Sequence, residues 1–513
     1  MKPELINSLK GYKPKNLIND VLSGLLVAII AMPLSIALGL QSVPDSIGGG
    51  IQMGIITAII AGFIVSAFGG SRFQIGGPTA AFVGIIFGYL SDPEIGLIGL
   101  QIATIIAGII LLLLGALKLG SLVKYIPYPI IVGFTSGIGV TLLVGQIKDF
   151  CGFDSNGVDF IEKIIGFITA IKTFNLASFL IGVGVLLTIY ILKKVNNKIP
   201  GAFIAIILFT IINILIGGES LGVKTIGSKY GDIKAEFEVI DFSLIFNVNF
   251  LKLILPAIVI AFLGALESLL SLTVADGMSK LKSDVNQELL GQGLANIGSA
   301  FCGGLPATGA IARTSANISS GAKSSLAGVF HAVFMLIMYF ALMGVIKFIP
   351  LCALGAVLIS VAIKIMDVKL FVKLSKFGIR DSIILFLTML LTVFTDLTYG
   401  VLGGLALSFI LNAKNLKTPF KVELIEDGDN KVHKVSGELF FLTANKMCNV
   451  ITKQFESEDK IIIDFSNVNR IDSTTIEKLS KLSLNAKNQG KVLEIIGCND
   501  VVKPRIQKYF NSI

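Results

Sequence analysis

Residues 303–317 read GGLPATGAIARTSAN, and residues 76–81, far upstream, read GGPTAA. Both stretches interrupt apolar sequence with two glycines and a proline, and both are followed by a short segment of helical character. Proline suits the first turn of a helix, and glycine lets a backbone come close to whatever faces it. The two breaks therefore predict two short helices, each starting inside an apolar environment instead of at its edge.

The surrounding composition says what that environment is. Of 513 residues, 53% are hydrophobic and only 15% charged, and the mean hydropathy is +0.83. Soluble domains do not have this usage. Runs such as Val21 to Leu40, Gln101 to Leu117 and Val329 to Ile346 are about long enough to cross a ~30 Å hydrocarbon core as helices. Val21 to Leu40 is too long for a signal-peptide core and leads into further apolar sequence, so it is read as a retained first helix. Five scattered cysteines (Cys151, Cys302, Cys352, Cys448 and Cys498) form no CxxC pair and indicate packing residues, with no metal or disulfide framework. The net charge of +9 is read as basic loops on the cytoplasmic side of a bilayer, with no nucleic-acid partner.

Helical segments are expected near 19–40, 50–68, 79–90, 96–117, 125–148, 173–193, 199–216, 253–275, 286–302, 308–320, 325–347, 351–366, 380–395 and 398–413, fourteen in all. Most lysines and arginines of the first 417 residues fall at predicted inner ends, which puts both termini in the cytoplasm. The interrupted segments are the third and the tenth. Seven plus seven, with seven odd, makes the second half an inverted copy of the first, and Ile126–Pro127 and Ile349–Pro350 open corresponding segments. Interrupted helices in corresponding positions of inverted halves point to a substrate site near the bilayer midplane. The two helix N-termini meet there, and their unpaired N–H groups favour an anion. Gly77, Pro78, Thr79 and Ala80 on one side, and Thr308, Gly309, Ala310 and Arg313 on the other, are the expected substrate-binding residues, with the threonines capping or donating a hydroxyl.

Ionisable residues within such segments are expensive and hence functional candidates. Glu267 lies mid-segment with Ser271 one turn on. Its carboxylate must pair, bind a cation or take up a proton, so this pair is the expected coupling-ion site. Arg313 has three readings: pairing with Glu267, facing an anion, or snorkelling to the membrane surface. His331 reads as a packing histidine, and Asp276 and Asp396 as helix-end caps. Residues 1–18 form a short cytoplasmic lead and 19–413 the membrane domain. From 414 to 513 the chain is charged and alternates strand-like and helical runs: Val435–Leu442, Lys460–Phe465, Ser473–Gln489 and Lys491–Ile496. No phosphate loop, metal cluster or nucleophile constellation stands out in it, so an enzyme is not expected.

The stretch LGALESLL (263–270), with Asp276–Gly277, Glu288–Leu289, GQGLAN (291–296), Gly303–Gly304 and AIARTSAN (310–317), resembles the sulfate permease family of anion transporters. The tail, with IDF (463–465) and IDST (471–474), resembles its STAS domain. The resemblance covers nearly the whole chain. It implies a fold like that of the uracil permeases, a core and a gate domain with substrate between the third and tenth segments, and commonly a homodimer. It also makes the helix start at Ser473 and Thr474 a candidate regulatory site, since the soluble relatives of that domain carry a phosphorylated hydroxyl there. Pro33 followed by Leu34, and Ala312 before Arg313, depart from patterns of eukaryotic members. The segment around Glu267 is closest to bacterial dicarboxylate- and bicarbonate-transporting members. The expected function is proton-coupled symport of a small inorganic or organic anion. Sodium coupling, exchange, an uncoupled channel and STAS-mediated sensing are the alternatives. No cofactor is expected.

Overall fold

The computed structural model describes residues 2–154, 157, 160–196, 199–237, 248–395, 397–413, 420–427, 430–454, 460–488, 490–500 and 502–510. The expected cap Asp396 and part of the expected boundary near 414 lie outside them. Fourteen principal helices occur among the described residues up to 413. They are α1 (Pro14–Ser42), α2 (Gly50–Phe68), α3 (Ala80–Ser91), α4 (Gly96–Ala116), α5 (Tyr128–Cys151), α6 (Leu176–Val195) and α7 (Gly201–Leu215), then α8 (Phe250–Ser279), α9 (Val285–Phe301), α10 (Ile311–Ser319), α11 (Leu326–Ile346), α12 (Leu351–Met366), α13 (Ile379–Phe394) and α14 (Leu397–Asn412). Among the described residues, eight helical spans are long and apolar enough to cross a membrane. Large apolar side chains such as Leu113, Leu187, Leu255 and Phe340 are more than half exposed, as a lipid-facing belt requires.

The chain divides into two compact units, residues 1–121 with 138–364, and residues 122–137 with 365–513. In the first unit α9 packs on α4 and α11 on α2, α11 on α1 and α8 on α4, α1 on α2 and α8 on α9. Each of these pairs is the other's image when every helix is replaced by the one seven places along, which is the inverted repeat expressed as packing. The helices approach closely through small residues: a β-carbon added to Gly108 of α4 would stand 2.7 Å from the Gly293 carbonyl of α9. At the repeat's centre, strand β1 (Gly76–Gly77) pairs antiparallel with β2 (Thr308–Gly309), in the register Gly76↔Gly309 and Gly77↔Thr308. Helix α10 thus starts at Ile311, three residues later than expected, because Thr308 and Gly309 are spent on this bridge.

In the second unit α13 packs on α14. The C-terminal residues build a sheet of order β3 (Lys421–Asp427), β4 (Asn430–Leu439), β5 (Lys460–Ile471) and β6 (Val492–Ile496). The first pair is antiparallel and the other two are parallel. Helices α15 (Phe441–Gln454), α16 (Ser473–Asn488) and α17 (Lys503–Phe510) complete the domain. Its core gathers alternate residues of β5 (Ile461, Ile463 and Phe465) under Ile476 and Leu479 of α16.

Candidate functional site

The extended segments on either side of the bridge cannot hydrogen-bond to themselves, so side chains must do it. Helix α9 does this for 303–309. Gln292 Nε2 donates to the Ala307 carbonyl at 2.6 Å, Asn296 donates to the same carbonyl at 3.0 Å and accepts the Ala307 N–H at 3.0 Å, and Ser299 donates to Leu305 at 2.7 Å. Glu288, Gln292, Asn296 and Ser299 are all fully buried. Their spacing of four, four and three puts them on one face of α9. The converse support comes from α10: Thr314 Oγ1 accepts the Ile75 N–H at 3.2 Å and Asn317 donates to Phe73 at 2.9 Å. A helix with this many buried polar groups on one face is itself a sequence signal for a supported break in a neighbouring segment.

From the bridge, α3 and α10 run off with their N-termini toward the crossing. Thr79 precedes α3 and Ala310 precedes α10, both extended and neither supplying a side-chain cap. Thr308 is not a cap either: its hydroxyl donates to Glu267 Oε2 at 3.0 Å. Thr79 Oγ1 faces the same carboxylate but has no hydrogen bond of ordinary length. Next to Glu267 on α8, Ser268 Oγ accepts the Gly309 N–H at 3.0 Å. Ser271, expected beside Glu267 as a coupling residue, is buried and donates instead to Thr314 at 3.3 Å. One helical turn has carried it to the α10 side.

Arg313 is 2% exposed and does not snorkel, and it forms no ion pair with Glu267. Its guanidinium reaches back under the start of α3, donating to Ser35 Oγ of α1 at 3.1 Å and to the Gly76 and Pro78 carbonyls at 3.5 Å. The approach is close enough that a β-carbon on Gly77 would stand 1.8 Å from Nη1. Gly309 is equally constrained, by Gln74 Nε2 at 2.0 Å from such an atom. Two uncapped helix starts, one buried guanidinium and one carboxylate thus converge on a bridge of four residues. His331 is fully buried between α1 and α2 with neither ring nitrogen hydrogen-bonded. In the second unit, Ser473 and Thr474 open α16 and are 0% and 2% exposed.

Residues 17–388 match the family model described as the sulfate permease family, and residues 421–510 match that of the STAS domain. A putative sulfate transporter of Bacillus subtilis, YvdB, is 34% identical over 97% of this chain and 95% of its own length. The bicarbonate transporter BicA of a Picosynechococcus species is 27% identical over 96% of this chain and 91% of its own. Among solved structures, the transmembrane domain of a cyanobacterial BicA superposes with a TM-score of 0.67 at 29% identity, covering 76% of this chain and 98% of that one. SLC26A9 superposes with a TM-score of 0.70 at 18% identity over 99% and 89%, a likeness of fold alone.

Proposed function

We propose, given that this chain belongs to the sulfate permease family, that it is a secondary transporter of small anions driven by protons. The observation that carries this reading is the crossing of β1 and β2. Two helix starts without side-chain caps flank a threonine-bound carboxylate there, with Arg313 beneath one of them. The N–H groups of Ala80 and Ala81 and of Ile311 to Arg313 supply the positive ends for an anion, and the guanidinium supplies charge and shaped donors. Glu267 is the group that takes up the proton, because its carboxylate is met by threonine hydroxyls and by no cation among the described residues. Proton uptake there removes a negative charge from beside the anion, so each favours the other's binding.

The substrate class is a small oxyanion or carboxylate: sulfate, bicarbonate or a short dicarboxylate, the first two being what the relatives are named for. On this reading the termini and the STAS domain are cytoplasmic, supported by the distribution of basic residues. A homodimer is supported by the family resemblance. The test is uptake of these labelled anions into proteoliposomes under a proton gradient, a sodium gradient or neither. Proton-driven accumulation that vanishes in Glu267→Gln, with the variant still folded, is the expected result. Accumulation driven by sodium alone, or unchanged in that variant, overturns the proton assignment.

A further inference from the structure

Glu288 is a second buried carboxylate close to the crossing, and the transport scheme above leaves it without a role. It is 0% exposed; Oε2 accepts the Gly70 N–H at 2.9 Å and Oε1 accepts from Gln74 Nε2 at 3.0 Å. Its charged surroundings are Asp276 at the end of α8 and Asp284 at the start of α9. Beyond them are Arg72, already paired with Glu4, and Glu267 past Ser268. Among the described residues no cation pairs with it, and a buried carboxylate held only by neutral donors is costly.

Gln74 connects this group to the crossing. It is 2% exposed, its Nε2 also donates to the Ser268 carbonyl at 3.0 Å, and its side chain lies against Gly309. Its Oε1, however, is buried with no donor, and an orphaned acceptor of this kind costs about 1–3 kcal/mol. Turning the amide over exchanges its oxygen and nitrogen. Oε1 then faces Glu288, which can donate to it only as a carboxylic acid, and Nε2 leaves the Ser268 carbonyl. The Glu288 carboxylate goes with a bond from Gln74 to the Ser268 carbonyl, and the Glu288 acid goes with a turned amide and that carbonyl released from Gln74. Ser268 is the residue that accepts the Gly309 N–H and adjoins Glu267.

We propose that Glu288 is a second proton-holding residue, whose protonation turns Gln74 and alters the contact of its side chain with Gly309 of β2. This rests on the proton-coupled reading, to which it adds a second site in the same cycle. A proton from water bonds to a Glu288 oxygen, the new O–H donates to Gln74 Oε1, and the proton returns to water when the carboxylate re-forms.

The direct test is infrared difference spectroscopy of the purified full-length protein during a pH titration. The expected result is a carboxylic-acid carbonyl band that disappears in Glu288→Gln, persists in Glu267→Gln, and shifts in Gln74→Met, where the amide is gone. A Glu288→Gln spectrum identical to wild type, or a band unmoved by Gln74→Met, overturns the proposal. The Gln74→Met arm decides the matter even if Glu288→Gln does not fold. In proteoliposomes, Glu288→Gln is expected to remove one limb of the pH profile while the anion KM changes by less than about threefold. Failure of wild-type protein to accumulate anion under a proton gradient strikes the symport reading and leaves the infrared result to be judged separately.

Discussion

Two kinds of buried helix start occur in this molecule, and they are finished in opposite ways. Helices α3 and α10 begin without a side-chain cap, and the carboxylate near them is engaged by Thr308 instead of by a helix N–H. Helix α16 begins under two carboxylates. Asp381 Oδ2 accepts the Ser473 N–H at 2.8 Å, and Asp472 Oδ1 accepts the Thr475 N–H and hydroxyl, each at 2.7 Å. All three starts have threonine close by, and all carry the partial positive charge of aligned peptides. On the proposed reading, what separates an anion site from a capped helix is whether the chain supplies its own anion. Ser473 and Thr474, the expected regulatory pair, lie beneath these two carboxylates. They are buried, and the charge of a phosphate there would stand against Asp381 and Asp472.

The sharpest way to break the contrast is to give α3 the finish that α16 has. Thr79→Asp places a carboxylate at the cap position of α3, where capping itself stabilises by about 0.5–2 kcal/mol. Initial uptake is expected to fall by about 100-fold or more, equivalent to about 2.7 kcal/mol, with the gain from capping opposed in the thermal melt by the Glu267 carboxylate that position 79 faces. Near-normal uptake in Thr79→Asp would show that the open start of α3 is not where the anion binds. A smaller loss is expected from Gly77→Ala, because the added methyl drives Arg313 from under the same helix start. Overpacking of this kind costs about 1–3 kcal/mol, read as a lowered melting temperature together with roughly 5- to 100-fold slower uptake. Loss of stability with unchanged uptake would separate Arg313 from the substrate.

Much of the first region is legible in the sequence, because its signals are local and doubled. Gly76–Gly77–Pro78 and Gly303–Gly304 with Pro306 sit in register, and a break repeated across an inverted repeat cannot be ordinary punctuation. Helix ends moved by a few residues where tertiary pairing overrides them, as Thr308 shows by joining a strand. Illegible were the partnerships between distant residues. Gln74 meets Glu288 across 214 positions and Arg313 meets Ser35 across 278, and no periodicity encodes either meeting. The two carboxylates over α16 divide the same way: Asp472 is the local cap that a helix-start pattern announces, whereas Asp381 comes from 92 residues away.

That second carboxylate makes the capped start sensitive to pH. Burial, and then the Asp381 charge beside it, hold the Asp472 carboxyl up at about 7. An unfolded aspartate titrates near about 3.9, so the folded state keeps a proton that the unfolded state has released. The stability this contributes is complete below about pH 4 and is lost as pH rises through about 7. Protection factors of the first-turn amides of α16 in the full-length protein, exchange rates corrected for the intrinsic base-catalysed rate at each pH, are expected to be larger at about pH 5.5 than at about pH 8.5. Asp381→Asn, which keeps an acceptor and removes the charge, is expected to flatten that dependence. An unchanged slope would mean that the two carboxylates do not share the site.

The gentlest perturbation tests whether the capped start also serves as an attachment. Thr474 Oγ1 accepts the Tyr128 N–H at 2.9 Å at the beginning of α5, inside the same compact unit. Thr474→Val keeps the shape and deletes the acceptor, leaving a backbone N–H at a helix start unpaired, for about 0.5–1.5 kcal/mol. The melt is expected to drop by a few degrees, about 2–4 °C for a unit of this size, with uptake unaltered and Thr474→Ser restoring it. That outcome assigns Thr474 to holding α16 against α5 and leaves the open starts of α3 and α10 as the sites where charge matters to transport. A change in uptake as large as that of Gly77→Ala, without a change in the melt, would instead join the two regions into one functional circuit, because a hydroxyl whose only task is structural cannot alter transport while leaving stability intact.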